Sequence, residues 1–173
     1  MIDLDRRLDR WVIEHRAGPL NDVFVWLSRV GTYGLIWIGI AAVLAVVLRR
    51  PRLFLLVLAA DLAADAVATG LKYAIGRERP HTSHLVHVPG NPSFPSGHAA
   101  TSFACAFVLA VAVPRLAVPL LVLAAAIAFS RVYVGVHYPL DVIGGAAVGL
   151  LVATALLLLA GDLPRSRSRL QPG

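Results

Sequence analysis

The chain has 173 residues, of which 58% are hydrophobic, and it carries a formal charge of +6 with a mean hydropathy of +0.74. This composition excludes an ordinary soluble globular protein and indicates one domain in a lipid bilayer. The charge does not indicate a nucleic-acid-binding protein, because the arginines lie at the ends of apolar segments and form no basic stripe with interleaved aromatic residues.

Residues 1–18 are predicted to form an N-terminal amphipathic helix at the membrane interface. Apolar residues alternate there with acids and arginines, so the segment is too charged to cross a bilayer. No apolar stretch with a cleavage site follows a basic start, as it would in a signal peptide. The apolar positions are Ile2, Leu8, Trp11 and Val12.

Residues 19–161 are predicted to form an all-α, polytopic transmembrane bundle of five to six membrane helices. Each crossing needs about 20 largely apolar residues. The start of the first apolar segment, between Leu20 and Gly31, leaves a sixth crossing open. This first segment ends at Leu48. The other four segments cover residues 53–75, 98–113, 116–133 and 139–160.

Residues 162–173 are polar and are predicted to form a disordered cytoplasmic tail. The arginines of this tail fall on the same side of the predicted bundle as those of residues 49–52 and Arg115. The positive-inside rule places that side in the cytoplasm. The predicted location is therefore the inner or plasma membrane, with the other loops on the extracytoplasmic face.

Three polar clusters lie in or beside loops on the extracytoplasmic side. Because the number of crossings brings all three to the same side, they can form one shared site. The clusters are residues 72–80 (KYAIGRERP), 95–98 (PSGH) and 130–141 (SRVYVGVHYPLD).

Gly145 and Gly149, in the last apolar segment, predict close approach of a neighbouring helix.

The clusters contain the groups that phosphate binding needs. Ser96 and Gly97 open a predicted helix, whose free N–H groups and serine hydroxyl can bind phosphate oxygens. Lys72, Arg79 and Arg131 would add positive charge, and the guanidinium groups give directional bonds. No metal site is predicted, because carboxylates are sparse and these cations would repel a divalent ion.

Two histidines fit the chemistry of phosphoryl transfer. Asp141 can reach back to His137 from the third position of a helix that begins at Pro139. This contact would fix one tautomer and leave the other ring nitrogen free to attack phosphorus. His98 would protonate the leaving oxygen and later activate water.

These residues and spacings resemble the three-part signature of the type 2 phosphatidic acid phosphatase (PAP2) superfamily over residues 20–160. The resemblance implies a membrane phosphatase in which His137 forms a phosphohistidine, Asp141 supports it, and His98 is the acid and base. By the resemblance a metal would not be required, and we expect no cofactor and no obligatory protein partner. The residues that it assigns to the phosphate are Lys72, Arg79, Ser96, Gly97 and Arg131.

The resemblance implies a lipid phosphate embedded in the membrane as the substrate. A polyprenyl diphosphate such as undecaprenyl diphosphate is favoured by the outward orientation. Phosphatidylglycerol phosphate, phosphatidate and a polyprenyl-linked sugar phosphate stay open, because residues 81–94 form a short connection that leaves little protein to shape a lid. A more remote alternative is a non-catalytic binder or transporter of anionic lipid.

Three further features have two interpretations each. The face formed by Asp61, Asp65, Thr69 and Lys72 is either a hydrogen-bonded seam between helices, which we favour, or a polar strut that orients the lysine or passes protons. The histidines of residues 81–87 are either surface groups near an anionic head group, which we favour, or zinc ligands. Arg77 is either a head-group contact or an interfacial arginine.

Overall fold

The computed structural model describes residues 2–161, and all regular secondary structure in this range is helical. The predicted all-α class is therefore confirmed, while the predicted tail at residues 162–173 lies outside the described residues. Short 3-10 turns at Thr32–Gly34 and Pro114–Leu116 precede the third and sixth helices. The helices are α1 (Ile2–Glu14), α2 (Gly18–Val30), α3 (Leu35–Val47), α4 (Pro51–Ile75), α5 (Gly97–Ala112), α6 (Ala117–Tyr133) and α7 (Pro139–Ala160).

Helix α1 has one face packed on the protein and one face exposed. Asp5 and Asp9 are buried against the rest of the chain. The exposed face carries Leu4, Leu8 and Trp11. The acidic side of the helix therefore makes its contacts within the protein, and the position of the helix at the membrane interface stays a prediction.

Within residues 2–161, three helices are long and apolar enough to cross a membrane: α4, α7, and α6 together with its preceding turn. Helices α2 and α3 are bent by 66° and count as a fourth span if the pair is one crossing. The bend includes Gly34, whose φ is 63°. Glycine adopts this left-handed conformation readily because it has no Cβ atom to clash with its own backbone. Helix α5 is apolar but shorter. The predicted five to six crossings stay a prediction.

Helix α5 lies at the centre of the bundle and packs against α4, α6 and α7. Many of its side chains are fully buried alanines, among them Ala99, Ala100 and Ala104. Small side chains let neighbouring helix backbones approach closely. A short helix can therefore hold three longer ones around it.

Gly145 and Gly149 make the closest of these approaches possible. A Cβ atom on Gly145 would overlap the carbonyl oxygen of Ser96, and one on Gly149 would overlap that of Ala100. The prediction that this pair admits a neighbouring helix is confirmed, and the neighbour is α5. The contact fixes the start of α5 beside the start of α7.

Three helix ends meet at one end of the bundle: the starts of α5 and α7 and the end of α6. The backbone N–H of Ser96 donates to the carbonyl oxygen of Asp141 at 2.9 Å, which joins the starts of α5 and α7. The N–H of His137 donates to the carbonyl oxygen of Arg131 at 3.2 Å, which closes the turn between α6 and α7. At the opposite end, Arg52 donates to the carbonyl oxygen of Ala160 at 2.7 Å.

Candidate active site

Residues from all three clusters line one cavity of about 670 Å³ at this end of the bundle. The cavity is of the size that binds a lipid head group and is far larger than a phosphate group needs. Its predicted site residues are Lys72, Arg79, Gly97, His98, Arg131 and His137. The two remaining predicted residues, Ser96 and Asp141, are fully buried behind this surface.

Lys72 holds the loop between α4 and α5. Its Nζ donates to the carbonyl oxygens of Pro92, Ser93 and Pro95 at 3.1, 3.3 and 2.7 Å. Because an ammonium group has three protons, these bonds use all of its donors. Lys72 therefore fixes the backbone that leads into α5 and contributes positive charge to the cavity wall.

Arg79 is held from both sides by the protein. Its Nε donates to the carbonyl oxygen of Asn91 at 2.8 Å, and its Nη2 donates to Asn91 Oδ1 at 2.6 Å. Its Nη1 donates to the carbonyl oxygen of Val136 at 2.8 Å. Asn91 was missed in the sequence, where an asparagine before a proline indicates only a turn.

The nucleophile candidate lies next to this guanidinium group. His137 Nε2 is 3.2 Å from Arg79 Nη1, and His137 Nδ1 is 3.4 Å from Asp141 Oδ2. Since a guanidinium group only donates, Nε2 is the unprotonated nitrogen and Nδ1 carries the proton. Burial lowers the pKa of His137 well below its ordinary value, and the positive charges of Arg79 and Arg131 lower it further. The ring is therefore neutral at physiological pH.

Asp141 is more constrained than the sequence indicates. Its Oδ2 accepts a hydrogen bond from the backbone N–H of Tyr138 at 2.9 Å, as an acid at the third position of a helix does in a capping box. Its Oδ1 accepts from Arg77 Nη1 at 2.6 Å. The other end of this guanidinium group, Nη2, lies 2.5 Å from Asp5 Oδ2.

Arg77 has a role that neither interpretation includes. It bridges two buried carboxylates of its own chain, so its donors serve the protein, and its position at the membrane interface stays a prediction. Burial acts to lower the pKa of Arg77, but its bonds to Asp5 and Asp141 outweigh this effect and raise the pKa above its ordinary value. No sequence signal joins Asp5 to a residue so far along the chain.

Ser28 of α2 connects two further predicted residues. Its carbonyl oxygen accepts from His98 Nε2 at 3.2 Å, and its hydroxyl group accepts from Arg131 Nη1. Within the described residues, the buried Nε of Arg131 has no hydrogen-bond partner. A buried donor without a partner on a cavity wall suits an anionic ligand. Ser28 was missed because nothing in its sequence context separates it from other polar residues of the first apolar segment.

Ser96 caps helix α5. Its Oγ lies 3.5 Å from the backbone N–H nitrogen of Ala99, as an N-cap residue requires. Gly97 and His98 line the cavity next to it, whereas Ser96 does not. The geometry therefore places the first residues of α5 at the cavity and the serine hydroxyl behind them.

The acidic face of α4 also lines the cavity, through Asp61, Asp65 and Thr69. Asp65 and Thr69 are exposed, so the favoured interpretation as a packed seam is wrong at these positions. Asp61 is 6% exposed and lies 3.8 Å from the sulfur of Cys105. Cys105 is buried.

The three histidines of the connecting loop have different surroundings. His81 is exposed and lies 3.7 Å from Glu78, His84 bonds to the carbonyl oxygen of Pro80, and His87 lines the cavity. In residues 2–161, no three histidine, cysteine or acidic side chains converge as metal ligands would. The zinc interpretation therefore has no geometric support in this part of the chain.

Comparisons with known proteins identify the family of this chain. Residues 51–165 match the PAP2 superfamily. The chain is 37% identical to a decaprenylphosphoryl-5-phosphoribose phosphatase of Mycobacterium tuberculosis over 83% of this chain and 82% of the relative. It is 33% identical to an undecaprenyl-diphosphatase of Sulfolobus acidocaldarius over 78% of this chain and 68% of the relative.

A solved structure has the same fold. The crystal structure of a transmembrane PAP2 type phosphatidylglycerolphosphate phosphatase from Bacillus subtilis matches with a TM-score of 0.77 and 28% identity, over 95% of this chain and 88% of that one. The family and the apolar helices make the protein an integral membrane enzyme rather than a lipid binder. With its signature residues gathered around one cavity, the chain belongs to the PAP2 superfamily of membrane lipid phosphatases, which hydrolyse phosphoric esters.

Proposed function

We propose that His137 attacks the phosphorus atom of a membrane lipid phosphate and forms a phosphohistidine. The observation that supports this most directly is the unprotonated Nε2 of His137 beside Arg79 in the cavity. Attack breaks the ester P–O bond, and His98 in its protonated form gives a proton to the leaving oxygen. Water then attacks the phosphohistidine, returns a proton to His98 and releases inorganic phosphate.

In this proposal the cations stabilise the charge on the transferring phosphoryl group. Arg131 contributes the Nε donor that has no partner within the described residues, and Arg79 moves one donor from His137 to a phosphate oxygen. The first N–H groups of α5, next to Gly97, add donors without charge. Lys72 contributes positive charge from the wall. Fixed donors supply the electrostatic stabilisation, so the proposed step needs no metal ion.

The cavity favours a polyprenyl-linked sugar phosphate as the substrate. Asp65 lies seven residues before Lys72 on α4, and its Oδ1 would lie 3.8 Å from a Cβ atom on Gly97, so the carboxylate is next to the start of α5. Carboxylates accept hydrogen bonds from sugar hydroxyls, and threonine hydroxyls donate or accept them. A second phosphate beside Asp61 and Asp65 would instead be repelled. The polar groups on this part of the wall are Thr32, Asp61, Asp65, Thr69 and Thr101.

A polyprenyl diphosphate, which the outward orientation favours, is the second candidate. Arg29 also lines the cavity and offers a cation to a second phosphate. The relatives include enzymes named for each substrate, a phosphoribose phosphatase and an undecaprenyl-diphosphatase. The two candidates differ in what lies next to the reacting phosphate, and the acidic part of the wall favours the sugar.

We further propose that the cavity opens on the extracytoplasmic face. The arginines around Arg49 and Arg115 lie where α4 and α6 begin, and both helices end at the cavity. Since Arg52 bonds to Ala160, the end of α7 lies with the arginines, which supports a cytoplasmic tail at residues 162–173.

Five crossings fit the contacts better than six. Asp5 contacts Arg77 at the cavity end of the bundle, whereas α7 ends at the opposite, cytoplasmic end. A chain that starts on one side of the membrane and ends on the other has an odd number of crossings. The bent pair α2 and α3 then forms a single crossing, and residues 1–18 lie at the outer interface with residues 19–161 as the phosphatase domain. The exposed apolar side chains of α1 support its contact with lipid.

Phosphate release by the purified protein in detergent with EDTA tests the proposed function. The substrates are a polyprenyl-linked sugar phosphate, a polyprenyl diphosphate, phosphatidylglycerol phosphate and phosphatidate. His137→Ala is expected to lower release about 1,000-fold or more, because it removes the nucleophile. His81→Ala, at an exposed histidine, is the matched control and should keep full activity. Equal release by wild type and His137→Ala would refute the mechanism.

A further inference from the structure

Buried Asp141 makes more bonds than its proposed support of His137 requires. The carboxylate has no exposed surface, and a buried carboxylate needs compensating charge and hydrogen bonds. Tyr138 N–H and Arg77 satisfy its two oxygens at 2.9 and 2.6 Å, while His137 Nδ1 lies at 3.4 Å. The orientation of Asp141 toward the histidine is therefore set by its other partners.

Arg77 is the only one of these partners that carries a charge. Its guanidinium group spans from Asp141 to Asp5 and lies 4.4 Å from the ring centroid of Tyr138, which packs against it. The planar fork lets one nitrogen bond to each carboxylate at a fixed spacing. A lysine at this position would supply the charge without the second bond.

Asp5 fixes the opposite side of the bridge. It is 2% exposed, and its Oδ1 accepts from the backbone N–H of Leu140 at 2.9 Å. Leu140 and Asp141 are consecutive residues in the first turn of α7, so Asp5 holds the backbone that carries Asp141. The negative charge of Asp5 also attracts Arg77. Without it, the guanidinium group would pair with Asp141 alone and draw that carboxylate away from His137.

Asp5 belongs to α1, which lies outside the residues that match the family. We propose that Asp5 and Arg77 are positioning residues, which hold the Asp141 carboxylate in the orientation that His137 needs during phosphoryl transfer. Helix α1 is then a part of the catalytic apparatus rather than only a contact with lipid. The inference rests on the proposed roles of His137 and Asp141.

The test compares Asp5→Asn and Arg77→Lys with wild type. Asparagine keeps the shape of Asp5 and can still accept the Leu140 hydrogen bond, but it loses the charge. Lysine keeps the charge of Arg77 but loses the fork. The matched controls are Asp3→Asn, at an exposed acid of the same helix, and Arg10→Lys, at an exposed arginine.

The measurements are kcat, KM, the rate of phosphohistidine formation in a single turnover, and the thermal midpoint in detergent. Misplacing a reacting group by a fraction of an ångström lowers rate, so kcat and phosphohistidine formation should fall about 10- to 100-fold in both variants. The value of KM should stay within about twofold, because the phosphate-binding groups are untouched. The two controls should match wild type in all four measurements.

Two results would overturn the inference. One is unchanged kcat in both variants. The other is a loss of kcat that is accompanied by a lower thermal midpoint, since this would mean that the bridge only holds α1 against the rest of the protein. His137→Ala, measured in the same series, separates this inference from the proposed function. An inactive His137→Ala together with normal kcat in Asp5→Asn and Arg77→Lys refutes positioning alone, whereas an active His137→Ala refutes both.

Discussion

Arg79 Nη1 lies 3.2 Å from His137 Nε2, so the guanidinium group occupies the lone pair of the proposed nucleophile. A phosphate oxygen can accept the same proton and release that lone pair. The arginine would thus exchange a nitrogen acceptor for an oxygen acceptor when the substrate binds. The nearby bonds to Asn91 keep the rest of the fork in place during this exchange.

This relationship predicts the effect of Arg79→Lys. A lysine cannot reach Asn91 and the phosphate together, so charge stabilisation in the transition state is lost. We expect kcat/KM for phosphate release to fall about 100-fold. The control is Arg115→Lys, at an exposed arginine at the opposite end of the bundle. Wild-type kcat/KM in Arg79→Lys would contradict the proposed contact with phosphate.

Substrate choice should depend on Asp65. Asp65→Asn removes a charged acceptor for sugar hydroxyls, so kcat/KM for the polyprenyl-linked sugar phosphate should fall about 10-fold or more. For a polyprenyl diphosphate, kcat/KM of Asp65→Asn should stay level or rise, because the variant removes a negative charge that repels the second phosphate. The control is Asp22→Asn, at an exposed acid of α2. The same loss on both substrates would mean that Asp65 does not select the head group.

Vanadate should inhibit the enzyme. It adopts the five-coordinate geometry of phosphorus in the transition state, and the proposed donors of Arg79 and Arg131 are arranged for that charge. Inhibition should be competitive with the lipid substrate, as shown by initial rates at several substrate concentrations. Initial rates that are unaffected at high vanadate concentration would count against the cavity as the phosphate site.

Gly149 should tolerate no side chain. Gly149→Ala places a methyl group against the carbonyl oxygen of Ala100, so α5 and α7 must separate, at a cost of about 1–3 kcal/mol. Gly70→Ala is the matched control, because a Cβ at that helical position meets no atom within 4 Å. Thermal melting in detergent should show a lower midpoint for Gly149→Ala and an equal or higher one for Gly70→Ala. Equal midpoints for both variants would show that the close contact is not required.

Stability should depend on pH through Asp9. Burial raises the pKa of Asp9 to about 6, and the charge of Arg16 offsets this only in part. Because a raised pKa favours the protonated form in the folded state, its stabilising effect is complete below the unfolded pKa and is lost as pH rises through about 6.

Asp9→Asn should therefore be more stable than wild type at pH 8, by about 1–3 kcal/mol, and equal to it near pH 4. Thermal midpoints measured across this pH range provide the comparison. Asp3→Asn, at an exposed acid of the same helix, is the matched control. A constant difference between Asp9→Asn and wild type would exclude titration of Asp9 as the cause.

Local patterns were sufficient for the elements that carry the site. Apolar length predicted α4, α6 and α7, and Pro139 predicted the start of α7, because helix length and the first helical turn depend on nearby residues. The bend between α2 and α3 was not predicted. The position of the bend depends on Gly34, where a Cβ atom would overlap the side chain of Asp61. Packing of α2 and α3 against α4 therefore decides where the bend lies.

The sequence alone determined the membrane location, the helical class and the family, because composition and the spacing of Lys72, His98 and His137 are properties of the chain itself. Only the tertiary structure decided the partners of these groups. Asp5 reaches Arg77, and Ser28 reaches Arg131, across long stretches of sequence. Buried polar groups must find partners wherever the packed helices bring them, and no local pattern specifies which ones will meet.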